Sequence, residues 1–178
     1  MTLQFSGSGN PVTVDGTNYG LYPTIMTAQN TTSGTAFDFG GIPSWVRRIT
    51  VMCSNVLAST TSNYIVQAGT SGGIVTTGYT SVAYEVVSAG GVGSLLSDGW
   101  NVQKTNANQV FQGMIILTLL DPSTNTWTGT TVATSTGVLA AMVGTAYISL
   151  SGALTQIRYT TTAAGGTFSA GKINVMYE

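Results

Sequence analysis

The stretch from Phe37 to Cys53 reads Phe-Asp-Phe-Gly-Gly-Ile-Pro-Ser-Trp-Val-Arg-Arg-Ile-Thr-Val-Met-Cys and holds the densest strand signal of the chain. Its first residues alternate between apolar and polar, and two glycines and a proline then favour a turn. The alternation resumes at Ile49, Val51 and Cys53. The stretch therefore predicts a strand, a turn and a second strand.

Two adjacent arginines, Arg47 and Arg48, open the second of these strands. Successive side chains of a strand point to opposite faces, so at most one of the two faces inward. An inward guanidinium needs an anionic or carbonyl partner, and Asp38 across the turn is the nearest carboxylate in the sequence. We expect Asp38 to pair with Arg47 or Arg48 and to fix the turn after Pro43.

Charge is scarce throughout the chain. Among 178 residues there are 5 basic and 6 acidic side chains and no His, so 6% of the residues are charged, against about 25% in ordinary globular domains. The surface must then be built mainly from Thr, Ser, Asn and Gly, which give little electrostatic repulsion between molecules. This composition predicts a single domain that works as a subunit of an assembly.

Several classes of protein are disfavoured by the same composition. Nucleic-acid binding needs several cations on one face, and no basic cluster exists beyond Arg47 and Arg48. The strongest apolar run, Met114–Leu120, is far shorter than the roughly 18 residues of a membrane helix, and the first residues do not resemble a signal peptide. The single cysteine, Cys53, cannot form an internal disulfide and is predicted to be a buried thiol.

The chain divides into two regions by its pattern. Residues 1–34 are punctuated by Gly and Asn and predict an N-terminal arm or edge strands that contact a neighbouring chain. Residues 35–178 contain about ten strand signals separated by turns and no capped helical segment, which predicts an all-β fold, an antiparallel β-sandwich of jelly-roll-like form. The strand predicted over residues 109–120 is apolar on both faces and should be central.

Three glycine-rich or flexible segments are predicted as outward loops. They are the segments from which any receptor contact would come, namely residues 69–73, 90–93 and 160–166.

Catalytic chemistry has few residues to use. The absence of His removes the commonest general base and the usual nucleophile pairs, and no cofactor or metal site is predicted. A glycosidase needs only two facing carboxyls, for which spacing leaves Asp98 with Glu85, or Asp38 with Asp121. Because Asp residues in turns and at strand ends usually cap backbone N–H groups, we favour a protein that is not an enzyme.

Aromatic residues give a second alternative. Trp45, Trp100 and Trp127, together with eight tyrosines, could form a platform on which sugars stack. Aromatic side chains equally fill a core or a subunit interface, and we favour that interpretation.

Five segments carry a resemblance to a known family. In chain order they are residues 37–52, 61–69, 71–79, 113–117 and 168–178. Together they resemble a β-sandwich module of tailed-phage virion proteins, often tail fibres and related appendages, and the similarity spans roughly residues 35–178. The resemblance implies a non-enzymatic structural protein of the virion surface, forming a homotrimer and contacting other virion proteins such as capsid or tail components.

Residues 1–34 lie outside this resemblance. Long fibres of the family carry an N-terminal anchor and a shaft, for which this segment is too short. We therefore expect a capsid decoration protein, a head fibre or a short tail-fibre-type appendage. The alternative is a carbohydrate-binding module that recognises host-surface glycans.

Overall fold

The computed structural model describes residues 3–5, 12–14, 17–19, 23–162 and 166–178, the first three ranges by their backbone alone. Every regular element in these ranges is a β-strand. No helix long and apolar enough to cross a membrane is found among them.

Seventeen strands are described in these ranges. In chain order they are β1 (Leu3–Phe5), β2 (Val12–Val14), β3 (Thr17–Tyr19), β4 (Thr24–Ile25), β5 (Gln29–Asn30), β6 (Ala36–Gly40), β7 (Arg48–Ala58), β8 (Tyr64–Thr70), β9 (Gly73–Ile74), β10 (Thr80–Val87), β11 (Gly90–Leu96), β12 (Trp100–Val102), β13 (Val110–Asp121), β14 (Thr126–Thr136), β15 (Ala140–Ser149), β16 (Gln156–Thr161) and β17 (Phe168–Tyr177).

Two antiparallel sheets pack against each other. The larger, nine-stranded sheet has the order β11-β10-β15-β14-β13-β7-β17-β4, with β5 also paired to β17. The smaller, five-stranded sheet has the order β12-β8-β16-β6, with β9 paired to β8. The predicted all-β, antiparallel sandwich is confirmed.

The chain crosses between the two sheets repeatedly. Strands β6, β8, β12 and β16 belong to the five-stranded sheet, whereas β7, β10, β13 and β17 belong to the nine-stranded one. Most sequence neighbours are therefore not sheet neighbours, and only the run β13-β14-β15 follows chain order through the middle of the larger sheet. The expectation that residues 109–120 form a central strand is confirmed by β13.

The core lies between the inward faces of the two sheets. An aromatic group at its centre contains Tyr64, Phe111, Tyr159 and Phe168, whose ring centroids lie 5.7–5.9 Å apart in the contacting pairs. Trp100, from the smaller sheet, donates its Nε1–H to the carbonyl oxygen of Ala146 in the larger sheet at 3.2 Å. The sheets are thus joined by aromatic packing and by a buried hydrogen bond.

The turn predicted between residues 40 and 48 is present. Gly41 has φ of 77°, a conformation that glycine adopts without steric cost, and the amide of Val46 donates to the carbonyl of Pro43 at 3.1 Å. Ile49, Val51 and Cys53 all face the core as the alternation predicted. The thiol of Cys53 is buried and unpaired, and burial raises its pKa to about 12.

The expected pairing of Asp38 with Arg47 or Arg48 is wrong. Asp38 instead binds Arg158 across strands β6 and β16, whereas Arg48 pairs with Glu178 at 3.1 Å. The Arg47 guanidinium donates to the backbone carbonyl of Trp45 at 2.8 Å. Both adjacent arginines remain exposed, so neither required the buried carboxylate on which the expectation depended.

A second correction concerns residues 90–93. They were expected to form an outward glycine loop, but they belong to β11, the edge strand paired with β10. A Cβ on Gly91 or Gly93 would overlap the ring of Tyr84. These glycines therefore let the Tyr84 ring lie flat over the edge strand, which is a common reason for glycine within a strand.

The N-terminal region contributes short edge strands. Strands β4 and β5 pair with β17 through Ile25–Met176 and Asn30–Lys172, so residues 24–30 lie at one edge of the larger sheet. Strands β1, β2 and β3 pair with one another in a separate small sheet. The predicted contact of residues 1–34 with a neighbouring chain stays a prediction.

Candidate functional site

The outward side of the larger sheet presents an uncharged surface. Its members are the outward residues of four adjacent strands, and we call them the uncharged face: Val82, Tyr84 and Val86 of β10; Ala141, Val143, Thr145 and Tyr147 of β15; Thr128, Thr130, Val132 and Thr134 of β14; and Gln112, Met114, Ile116 and Thr118 of β13.

Strand register aligns the apolar members of this face into rows. One row runs directly across the strands through Tyr84, Val143, Val132 and Met114, and it continues to Met52 of β7. Side chains directly opposite each other on neighbouring strands lie within contact distance. The apolar residues therefore form a continuous band and are not scattered singly.

Strand β10 has an inverted pattern. Its outward residues Val82, Tyr84 and Val86 are 43%, 44% and 46% exposed, whereas its inward residues include Ser81 and Glu85, at 2% and 1%. In a sheet with one solvated face the apolar residues normally point inward and the polar residues outward. Here the large apolar side chains point to solvent and the polar side chains are buried.

A polar layer lies beneath β10 and accounts for its inward residues. Thr105 Oγ1 donates to Glu85 Oε2 at 2.6 Å, and Gln109 Nε2 donates to Glu85 Oε1. The amide of Asn101 donates to Ser81 Oγ at 3.0 Å. Each of these buried polar groups has a hydrogen-bond partner, as burial requires.

The polar layer extends to β11 and β12. Asn101 Nδ2 donates to Ser94 Oγ at 2.6 Å, and the Ser94 hydroxyl donates to Gln103 Oε1 at 2.5 Å. Nearby, the Lys104 ammonium donates to the Ala58 carbonyl at 2.8 Å and lies 4.8 Å from the centre of the Tyr64 ring. Burial lowers the pKa of Lys104 to about 8.

Charged side chains of the described residues lie off the uncharged face. Arg48 and Glu178 pair at one end of the larger sheet, and Lys172 is exposed on β17 beyond β7. Asp121, the last residue of β13, accepts hydrogen bonds from the Ser123 amide and hydroxyl at 2.8 and 2.7 Å. These bonds lower the pKa of Asp121 and make it the cap of the following turn.

The outward side of the five-stranded sheet has a different character. Arg158 binds Asp38 through two parallel bonds, Nε to Oδ1 and Nη2 to Oδ2, each 2.7 Å long. The hydrogen bonds to Asp38 raise the pKa of Arg158. Beside this pair is a cleft of about 410 Å³, lined in part by Gln67, Thr76 and Thr160.

The carboxylates considered for a glycosidase have separate surroundings. Glu85 is buried in the polar layer, Asp38 is held by Arg158, and Asp121 caps a turn. Asp98 lines the cleft, and partial burial raises its pKa. No group of three or more His, Cys, Asp and Glu side chains that could hold a metal occurs within the described ranges.

The tryptophans occupy packed positions. Trp100 and Trp127 are buried in the core, and Trp45 packs edge-on against Tyr177 with ring centroids 6.1 Å apart. This is the arrangement that we favoured over a sugar-stacking platform. The exposed large aromatic side chains of the described residues are Tyr84 and Tyr147, both on the uncharged face.

The predicted outward loops are only partly present as loops. Residues 71 and 72 form the turn between β8 and β9, although Gly69 and Thr70 are buried strand residues. Part of the segment 160–166 lies outside the described residues. Sequence reasoning missed the uncharged face, whose signal is the alternation of Ser81, Ala83 and Glu85 with bulky apolar residues.

Comparisons with known proteins give no relative for this chain: no family model, no curated protein and no solved structure matches it.

Proposed function

We propose that this chain is a non-enzymatic structural protein of a tailed-phage virion surface, acting as a capsid decoration protein, a head fibre or a tail-fibre-type appendage. The observation that carries the proposal is the uncharged face, an apolar band whose β10 end lies over a buried polar layer. Large exposed apolar patches on a sheet mark protein–protein contacts. The resemblance of residues 35–178 to virion β-sandwich modules supplies the class of assembly.

The fold supports a structural role in a second way. The bonds between the sheets are long-range, and the termini of the strands are tied by contacts such as the Glu178 amide to the Arg48 carbonyl at 2.9 Å. A sandwich closed by such contacts presents rigid faces, and rigid faces suit repeated, identical contacts in a particle.

The test uses virions of the phage that encodes the chain. Purified particles are analysed by immunoblotting and by immunogold electron microscopy with antibodies against the recombinant protein. We expect the chain to co-purify with particles through a density gradient and the label to lie on the head or the tail. Its absence from particles that are otherwise complete would refute the proposal.

A second candidate function is carbohydrate binding at the cleft beside Arg158. The observation that favours it is the lining by hydroxyl and amide side chains, including Thr76, Thr160 and Gln67, which can hydrogen-bond a polyol. A glycan array tests it with the parent protein and an Arg158→Ala variant. Binding that the variant loses would support this candidate, and silence of the parent would remove it.

A further inference from the structure

We infer that the uncharged face is the surface through which copies of this chain contact one another. The inference deepens the proposed function and rests on it for the setting, but its physical argument comes from the face itself. The partner is a second copy of the same chain.

The first step is the inverted strand. Val82, Tyr84 and Val86 keep 43–46% of their surface exposed in a single copy, whereas their inward neighbours Ser81 and Glu85 are buried. An apolar side chain is stabilised when it leaves water, at about 25 cal/mol per Å² of apolar surface. The pattern of β10 is thus the one expected if its outward side is buried against another chain in an assembly.

The second step is charge. None of the fifteen residues of the uncharged face is Asp, Glu, Lys or Arg, and the charged residues that are closest along the strands lie at the margin, on β7 and at the end of β13. A strongly charged partner would find no complementary group on this face. An identical uncharged face is complementary to it, and two copies related by a twofold axis bring the same patch together.

The third step is area. The face covers four strands spaced by about 4.8 Å and at most about seven residues along each, at about 3.4 Å per residue, which gives a flat surface of roughly 450 Å². Two such surfaces bury about 900 Å², which is below the roughly 1,200 Å² of stable interfaces and in the size range of weak, transient ones. Outward side chains add relief to the flat estimate, so the face is large enough for a reversible association of the chain with itself.

The centre of the band offers the position to test. Val132 is 62% exposed on β14, and its neighbours in the row are Val143 and Met114. A charge at this position is harmless to the single copy, because the side chain points to solvent. In the assembly it would be buried against the same charge of the partner, which is strongly unfavourable.

The experiment measures the mass of the full chain in solution by light scattering and analytical ultracentrifugation from about 1 to 100 μM. We expect the parent to have twice the mass of one chain. Val132→Glu and Val132→Lys should each weaken association at least 100-fold, and an equimolar mixture of the two variants should associate again, because opposite charges then meet. Circular dichroism and a thermal melt confirm that each variant is folded.

The matched control is Leu139→Glu. Leu139 is 84% exposed at the turn between β14 and β15, so the change introduces the same charge and removes a similar exposed apolar side chain, away from the rows. We expect it to associate as the parent does. A parent that is monomeric throughout the range, or a folded Val132→Glu that associates as tightly as Leu139→Glu, would overturn the inference.

The outcome separates this inference from the proposed function. A chain that associates through the face but is absent from virions keeps the interface and refutes the virion role. A chain that is present in virions but monomeric in solution, and whose Val132→Glu variant is incorporated normally, keeps the virion role and overturns the interface.

Discussion

The outward sides of the two sheets differ in the charge and polarity of their side chains. On the five-stranded sheet, Arg158 and Asp38 form a bidentate ion pair beside a hydroxyl-lined cleft, as on an ordinary solvated surface. On the nine-stranded sheet, the uncharged face of β10, β15, β14 and β13 holds mainly threonines and large apolar residues, and the charged residues Arg48, Lys172 and Asp121 lie at its margins. The difference identifies the uncharged face as the part of the surface with the least reason to stay in water.

The largest effect on stability is expected from a substitution that disturbs the packing between the two sheets. Trp100 is buried between the sheets and donates to the Ala146 carbonyl, so Trp100→Ala removes a large core side chain together with this hydrogen bond. We expect the free energy of unfolding to fall by about 4 kcal/mol. Urea denaturation measures the change, and Leu139→Ala, at an exposed turn, should change it by less than about 0.5 kcal/mol. Equal effects of the two variants would contradict the assignment of Trp100 to the core.

The next effect concerns Lys104, whose side chain is buried. Lys104 has a folded pKa of about 8, below the value of about 10.5 for an unfolded lysine. Between these values the unfolded chain binds more protons, so the Lys104 contribution makes stability rise with pH, at most by about 1.4 kcal/mol per pH unit. Below about pH 8 the cost of burying the charge is fully present.

Comparison with Lys104→Met isolates this contribution. The buried Cys53 thiol, whose pKa is raised to about 12, makes stability fall above its unfolded pKa and opposes Lys104 in the parent. Both proteins share that effect, so the difference between their free energies of unfolding should change steadily from pH 8 to pH 10.5. A difference independent of pH would show that Lys104 titrates normally.

A milder double substitution makes the uncharged face less apolar without adding a charge. Val132→Thr together with Val143→Thr converts the middle of the apolar band to the residue type that surrounds it. Each replacement exchanges a methyl group for a hydroxyl, so we expect association to weaken roughly tenfold while the stability of the single copy stays nearly unchanged. Sedimentation equilibrium measures the first quantity and a thermal melt the second. Unaltered association would mean that the band is not buried between copies.

The smallest effect belongs to the charged side. Asp38→Asn breaks the bidentate pair with Arg158, but the two side chains are 48% and 34% exposed, so water screens the pair and the free energy of unfolding should fall by no more than about 1 kcal/mol, and by less at high salt. At one end of the larger sheet, outside the uncharged face, Glu178→Gln breaks the single bond to Arg48 and should cost less still. Neither change should alter association. A larger loss of association than that of the threonine variant would reverse the assignment of the two sides.

The sequence is sufficient to predict the elements that follow simple alternation. Ile173, Val175 and Tyr177 alternate with other residues along the last strand, and accordingly Ile173 and Val175 are fully buried in the core with Tyr177 packed against it. The central place of the strand over residues 109–120 was predicted from apolar residues on both of its faces, although Met114 on its outward face is 43% exposed in the single copy.

Pairings between distant residues were not predictable. The partner of Asp38 is 120 residues away in the chain, and it is brought there by the register of β6 with β16. Proximity in sequence favoured Arg47 and Arg48, although the turn between them carries these side chains to the end of the sheet. Register across sheets depends on the whole fold, which local patterns do not encode.

The uncharged face was missed because apolar residues at alternate positions of a strand usually face the core, whereas those of β10 point to solvent. A strand with Val82, Tyr84 and Val86 at one parity indicates that these residues face the core of their own chain, and nothing local reveals that they point to solvent instead. The glycines of β11 were interpreted as a loop for a similar reason, since their role depends on the Tyr84 ring packed over Gly91 and Gly93.

The inverted strand also bears on how the chain finds its fold. A slip of β10 by one residue would carry Val82, Tyr84 and Val86 inward and Ser81 and Glu85 outward, an exchange that hydrophobic burial alone would favour in an isolated copy. The native register is selected instead by hydrogen bonds, from Thr105 and Gln109 to Glu85 and from the Asn101 amide to Ser81. These buried polar contacts thus disfavour the slipped register of β10, in which the apolar residues would be buried within the single copy. In the native register the apolar residues stay on the outward side of the sheet.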